Sequence, residues 1–423
     1  MSNQKKQWGA IIIMIALFAM IAFVTNLCTP MATIIKNQGE ISNVLAQIGN
    51  YGNFVAYLVM GIPAGMLIAK FGYKKTALIG LAVGIVGILI QWFSGQLDAK
   101  ENLGLVFTVY LIGAFIAGFC MCILNCVVNP MLNILGGGGN TGNQLIQTGG
   151  VFNSTAAVCC YILMGALIGD AAKAKIADAT PALMIALGIF VLAFIIISFT
   201  KIEEPEQAPV QLSLIKGAMS HRHFALGALA IFLYMGIEVG VPNFVQQYLT
   251  NEMKIPAATV GMLVAVYWFM MLIGRFVGAT IGGKVSSRSM ITSVSIATLA
   301  LVLYGMFAPT DTLVSFPGVD WGTLTIVWQD VPVGIFAFLL VGLCTSVMWG
   351  GIFNMAVEGL GKYTAIASGI FMTMVFGCAV MMFIQAFVAD AIGYIQSFWV
   401  VVFCAAYLLF YALVGSRVTK REE

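Results

Sequence analysis

GMLIAKFGYKKTALIGLAVGIVGILIQWF, residues 65–93, decides the fold. Three lysines, Lys70, Lys74 and Lys75, crowd around Gly72 between two apolar runs. The second run continues to about residue 95 with no charge after Lys75. That is the length, roughly 20 residues, that a helix needs to cross the hydrocarbon of a bilayer. Lipid offers no partner to an unpaired peptide group, so such a run must be helical. The lysine cluster then reads as a short basic turn between two membrane helices.

The same pattern repeats along the chain, which is 61% hydrophobic and only 9% charged. Dividing it at charged or turn-rich gaps gives twelve apolar runs, near 8–30, 45–69, 75–95, 104–135, 144–169, 181–200, 224–250, 257–283, 289–308, 333–361, 364–389 and 393–416. An outer-membrane barrel would show segments of about ten residues with alternating polarity, and none appear. The fold class is therefore all-α and integral to the membrane. The first run is too long for a signal-peptide core and lacks a small-residue cleavage site, so a retained first helix is expected. With the N-terminus inside, inner gaps hold fourteen lysines and arginines and outer gaps five. This positive-inside bias predicts a multi-pass protein of the cytoplasmic (inner) membrane with both termini cytoplasmic. The net charge of +3 reflects that asymmetry and implies no nucleic-acid partner.

The longest charged internal gap, KIEEPEQAPVQLSLIKGAMSHRH at 201–223, splits the runs six and six. The expected organisation is an N-terminal bundle over 1–200, a cytoplasmic linker over 201–223 and a C-terminal bundle over 224–423. His221 and His223, the only histidines, read as solvated linker residues. The gap 309–332 reads as an outer loop. GGGGNTGN at 136–143 reads as a flexible inner loop and lacks the GK[ST] ending of a phosphate cradle. The nine cysteines lie within the runs and read as small apolar residues rather than metal ligands or disulfides. No cofactor is expected.

Several segments resemble the major facilitator superfamily. GMLIAKFGYKK, Gly65 to Lys75, is similar to its signature loop between spans two and three, with Ala69 where an acid is usual. LNCVVNPMLNILG (Leu124 to Gly136), FNS (Phe152 to Ser154) and GRFVG (Gly274 to Gly278) together resemble the fucose–galactose–glucose:proton symporter family. The resemblance covers essentially the whole chain. It implies the major facilitator fold, twelve transmembrane helices in two six-helix bundles that rock about a central sugar site. Proton-coupled members carry an Asp in span one and a Glu in span four. Thr29 and Asn125 stand there in this sequence, and neither exchanges a proton near neutral pH.

Only Glu238 and Arg275 are charged residues well inside a run. Ionisable groups at membrane depth are costly and mark candidate functional sites. Glu238 is expected to carry ion coupling, by protonation or by ligating sodium; the structural alternative is a partner for Arg275. Arg275 is expected to gate, or to clamp an anion bidentately. Helical rise places it about 9 Å short of Glu238 in depth. Glu358 reads as an i,i+4 partner of Lys362, and Asp390 as wet.

A sugar site needs amides for hydroxyls and aromatic faces for the ring. The candidates are Asn26, Asn125, Asn129, Gln147, Asn153, Asn243, Gln246, Trp268, Trp349 and Asn354. Buried amides also bridge helices, and aromatics also pack, so each has a structural alternative. Pro242 suggests a break in span seven, which would free carbonyls at the site. The reading is a monomeric secondary transporter that imports a monosaccharide with a proton or sodium by alternating access. Alternatives are a carrier of an acidic sugar such as a sialic acid, and a non-transporting sugar sensor. No clustered nucleophile, base or metal set suggests an enzyme.

Overall fold

A computed structural model describes residues 7–39, 43–97, 99–135, 139–168, 175–200, 202, 214–281, 285–320, 325–360 and 363–418. Twelve helical spans run through them. Span one is Trp8–Gly39, and spans two and three share the segment Asn43–Ser94. Spans four to six are Ala99–Leu135, Gly139–Ile168 and Thr180–Phe199. Spans seven to nine are Arg222–Asn251, Ala257–Ile281 and Ser287–Phe307. Span ten joins Val333–Thr345 to Met348–Val357, and span eleven joins Thr364–Met374 to Gly377–Ile392. Span twelve, Trp399–Phe410, continues as a π-helical turn, Tyr411–Gly415.

Ten of these are apolar enough over sufficient length to cross a membrane; the apolar parts of spans two and five, Phe54–Ile68 and Thr148–Met164, are shorter. Phe199, Phe307, Phe387 and Phe403 stand exposed on the outside. That surface suits lipid and would be a liability in water.

The signature turn is made by one residue. Gly72 has φ 80 and ψ 175, which ends span two and starts span three. A Cβ makes that backbone region strained, so glycine is required there. Lys74 then reaches the far end of span six, donating from Nζ to the Ser198 carbonyl at 3.1 Å. A cation at carbonyls that end a helix is favourable. We call this the basic end of the molecule.

In the first half, span four packs on spans two and three, span one on span five, and span three on span six. In the second half, span ten packs on eight and nine, span eleven on seven, and span twelve on seven and nine. Two seams join the halves: span five lies on span eight, and span two on span eleven.

The breaks fall elsewhere than proline suggested. Span seven runs helically through Pro242. Span ten breaks at Ser346 and Val347 instead. There Thr345 Oγ1 and Ser346 Oγ bond back to the carbonyls of Gly342 (3.1 Å) and Leu343 (2.6 Å). Such side-chain bonds compete with the helical ladder and bend it. Span eleven tightens at Val375 and Phe376, whose amides bond three residues back.

Other expectations also change. His221 and His223 are buried, not solvated. A short helix, Leu214–Met219, brings the Gly217 carbonyl 3.0 Å from His221 Nδ1, and His223 Nε2 lies 2.8 Å from the Glu358 carbonyl. Span seven starts at Arg222, so His223 lies in its first turn. Glu358 is exposed and caps a helix that ends at Val357; Lys362, its expected i,i+4 partner, lies outside the described residues. Asp390 is exposed. Residues 139–143 of the glycine-rich gap are helical, and 136–138 lie outside the described residues. The gap 309–332 holds an antiparallel hairpin, Leu313–Asp320 with Thr325–Pro332.

Spans eight and ten approach so closely that a Cβ at Gly342 would strike the Tyr267 carbonyl oxygen. Small residues at crossings allow such contacts in membranes. Gly342→Ala should therefore destabilise by about 1–3 kcal/mol through overpacking. A lower unfolding midpoint of the purified protein in detergent is expected; an unchanged midpoint would show that the two spans can simply move apart.

Candidate functional site

Span seven puts Tyr234 and Glu238 one above the other, since residues four apart share a helix face. The Tyr234 hydroxyl hydrogen-bonds the Glu238 carboxyl. It also lies 3.4 Å from the Thr345 carbonyl oxygen, at the break in span ten. Tyr267 of span eight meets the same residue, its hydroxyl 3.1 Å from Thr345 Oγ1. The broken helix thus supplies a carbonyl and a hydroxyl to a cluster built from spans seven, eight and ten. Unwound carbonyls beside a buried acid are a recurring ion-site arrangement in transporters.

This cluster accommodates both protonation states of Glu238. When the carboxyl is charged it accepts from Tyr234. When it carries a proton it can donate to the Tyr234 oxygen, and Tyr234 turns its own proton to Thr345. The Tyr234 hydroxyl thus keeps a partner in either state, which matters because an unsatisfied buried group costs about 1–3 kcal/mol.

Arg275 stands near enough to interact electrostatically with Glu238, Tyr234 and Tyr267. It makes no direct ion pair with Glu238. Its Nη1 donates instead across the span five–span eight seam, to the Gly150 carbonyl and, at 3.3 Å, to Asn153 Oδ1. Asn153 in turn donates from Nδ2 to the Phe18 carbonyl of span one at 2.9 Å. The guanidinium of the second half is therefore held by spans five and one of the first.

The other candidates distribute as follows. Asn125 is half-buried and donates from Nδ2 to the Tyr57 hydroxyl at 2.8 Å, which leaves Oδ1 for an incoming donor. Asn129, one turn on, donates to the Asn125 carbonyl. Asn26 is buried and bonds back to Ala22 of its own helix. Asn243 is buried against Met382 and accepts from Gln247, away from the Glu238 cluster. Gln246 is buried and its Oε1 has no partner among the described residues. Trp268 is buried edge-on to Tyr267; Trp349 is half-buried with its ring 6.3 Å from Tyr234. Asn354 is exposed. The side chains of Gln147 and Thr29 lie outside the described residues. Among the described residues no three His, Cys, Asp or Glu cluster as a metal site would need.

Tyr234, Thr345, Gly150 and Tyr57 were not among the candidates. Tyr234 had a signal, its four-residue spacing from Glu238. A carbonyl such as that of Gly150 has none.

Removing the Tyr267–Thr345 contact should cost about 1 kcal/mol from either side. Tyr267→Phe and Thr345→Val are expected to be non-additive in unfolding, because they share one bond. Strict additivity would mean the contact contributes nothing.

The comparisons with known proteins agree with this architecture. The family model of the Major Facilitator Superfamily matches residues 10–376. A glucose/galactose transporter of Brucella abortus is 27% identical over 98% of this chain and 96% of its own length. An L-fucose-proton symporter of Escherichia coli is 22% identical over 90% of this chain and 87% of its own. The solved structure of the major facilitator transporter FucP in its outward conformation superposes with a TM-score of 0.71 at 20% identity, covering 96% of this chain and 99% of that one. The nucleoside transporter NupG gives 0.64 at 14% identity, over 97% of this chain and all of that one. At those identities the likeness of structure is a likeness of fold.

Proposed function

We propose that this chain, which belongs to the major facilitator superfamily, imports a monosaccharide by symport with a proton. The observation that carries the coupling is the placement of Glu238. It is the one acid deep in an apolar span, and it sits among Tyr234, the opened turn at Thr345 and the field of Arg275. The positive guanidinium favours a proton over sodium, which would need further oxygen ligands and would be repelled. Support for a sugar comes from the relatives named for glucose, galactose and fucose. Asn125 and Asn129 supply amides to sugar hydroxyls from the first half, and Trp349 supplies a ring face from the second. Asn153 serves mainly to hold Arg275.

Arg275 is occupied by Gly150 and Asn153, which favours a gating role over a clamp for sugar acids. The two bundles, 1–200 and 224–423, move about the site as units, with the protein a monomer in the inner membrane. The decisive experiment is uptake into proteoliposomes across a panel of neutral sugars and sugar acids. Accumulation of a neutral hexose driven by an acid-outside gradient without sodium is expected. Dependence on sodium, or preference for a sugar acid, would replace the corresponding part of the reading.

Glu238→Gln keeps size and hydrogen bonding but fixes the charge at neutral. It should abolish gradient-driven accumulation while sparing exchange of labelled for unlabelled sugar, since exchange needs no net proton movement. A variant that accumulates sugar as wild type does would make Glu238 structural.

Orientation is tested separately. Ser220 is exposed at the basic end, and Thr312 is exposed beside the hairpin. Cysteines placed there should react with an impermeant reagent from opposite sides, Thr312→Cys from outside. Labelling of both from outside intact cells would overturn cytoplasmic termini.

A further inference from the structure

Arg275 belongs by chain to the second half but is bonded to the first. Its side chain lies flat along Gly150: a Cβ added there would be 3.2 Å from Cδ, 3.3 Å from Nη1 and 3.4 Å from Nε. Span five is therefore bare where the arginine crosses it. The groups that receive the guanidinium, the Gly150 carbonyl and Asn153 Oδ1, are neutral. The acid whose charge reaches it is Glu238, on its own half. The titratable groups facing the pair are Tyr234 from span seven and Tyr267 from span eight, both already hydrogen-bonded. A buried cation thus has two competing receivers, one fixed and neutral across the seam and one titratable behind it.

We propose that Arg275 is the latch of the span five–span eight seam, and that the protonation state of Glu238 sets how firmly it closes. This rests on Glu238 being the proton carrier. With Glu238 protonated, the best acceptors for the guanidinium are Gly150 and Asn153, and the seam is held as in this structure. Parting of the seam takes those acceptors away. Arg275 then swings to Glu238, the carboxyl O–H bond breaks, the proton leaves to water on the side that has opened, and the carboxylate keeps the electron pair in a charge-assisted pair with Arg275. Proton release is thereby tied to opening at the basic end. By linkage, ionising Glu238 must favour opening by the same factor. Arg275 and Asn153 are on this account positioning residues, while Glu238 alone exchanges the proton.

The test reads the seam directly, without sugar and without transport. Spin labels on Lys75→Cys and Ser220→Cys, both exposed at the basic end and on opposite halves, report its opening. The full-length protein is placed in lipid nanodiscs with Cys159, the exposed native cysteine among the described residues, changed to Ser. Wild type should show the closed-to-open ratio falling about tenfold or more as pH rises, the scale of one charge-assisted hydrogen bond. Glu238→Gln should hold the acid-state distribution at every pH. Arg275→Gln should remove the pH response, and Arg275→Lys should restore part of it. Gly150→Ala keeps every charge and should weaken closure in the same direction but less, which keeps the idea testable if Arg275→Gln does not fold. A pH response in Arg275→Gln equal to wild type would overturn the latch. Such a result beside a loss of accumulation in Glu238→Gln would leave the coupling role standing. Normal accumulation in Glu238→Gln with an Arg275-dependent seam would do the reverse.

Discussion

The constraint on which this molecule depends is the absence of water in the hydrocarbon. A polar group there must find its partner inside the protein. Some amides of the spans obey it locally: Asn26 bonds to Ala22, Asn129 to Asn125, and Gln247 to Asn243. Those bonds stay within one helix and are indifferent to how helices move. Arg275 differs, because its partners are on the other half. Separating the halves would oblige it to find a replacement, and the acid whose charge already acts on it is Glu238. In the proposed latch, the cost of stranding a cation in lipid is what couples the seam to the acid.

The same constraint explains why the spans were legible. Every stretch of lipid-crossing backbone must close its own hydrogen bonds, so length and apolarity suffice to find it. The spans agree with the runs read from sequence to within a few residues at most ends, and the basic turn at Gly72 sits where GMLIAKFGYKK placed it. What periodicity could not show was where a helix breaks. Pro242 lacks an N–H, yet a buried helix can absorb that loss when neighbours satisfy the freed carbonyl. Thr345 and Ser346 break span ten actively, by offering the backbone other donors. The buried histidines were misread for a related reason. Their partners are backbone carbonyls of Gly217 and Glu358, one from a six-residue helix hidden in a polar stretch. The hairpin at 313–332 was lost because no lipid rule applies outside the membrane.

The candidate site divides along the same line. Charges at depth announce themselves, so Glu238 and Arg275 stood out. Depth by helical rise separated them, and no ion pair forms; the structure adds the electrostatic contact and the partners across the seam. Those partners are a carbonyl, which every residue has, and Asn153, one amide among many. Amides are ambiguous in sequence because bridging a helix and meeting a ligand use the same atoms. Asn125 shows the first use, with Nδ2 given to Tyr57, and the proposed function assigns the second to its Oδ1.

Thr29 and Asn125 stand where the resembling family places its acids, and the consequence is spatial. An acid at position 125 of span four would sit beside Tyr57 and one turn from Asn129, among the first-half amides proposed to meet the sugar. Glu238 is on the opposite half, among Tyr234, Tyr267 and Thr345. On the proposed function, proton and sugar then have little cause to compete for the same atoms. What would join them is the seam: Asn153 belongs to the half that carries Asn125, and it receives Arg275, which the proposed latch ties to Glu238. On the proposed function, coupling is accordingly a property of how the halves meet rather than of a common binding pocket. A substitution confined to the first-half amides should change which sugar is carried without changing its stoichiometry with protons.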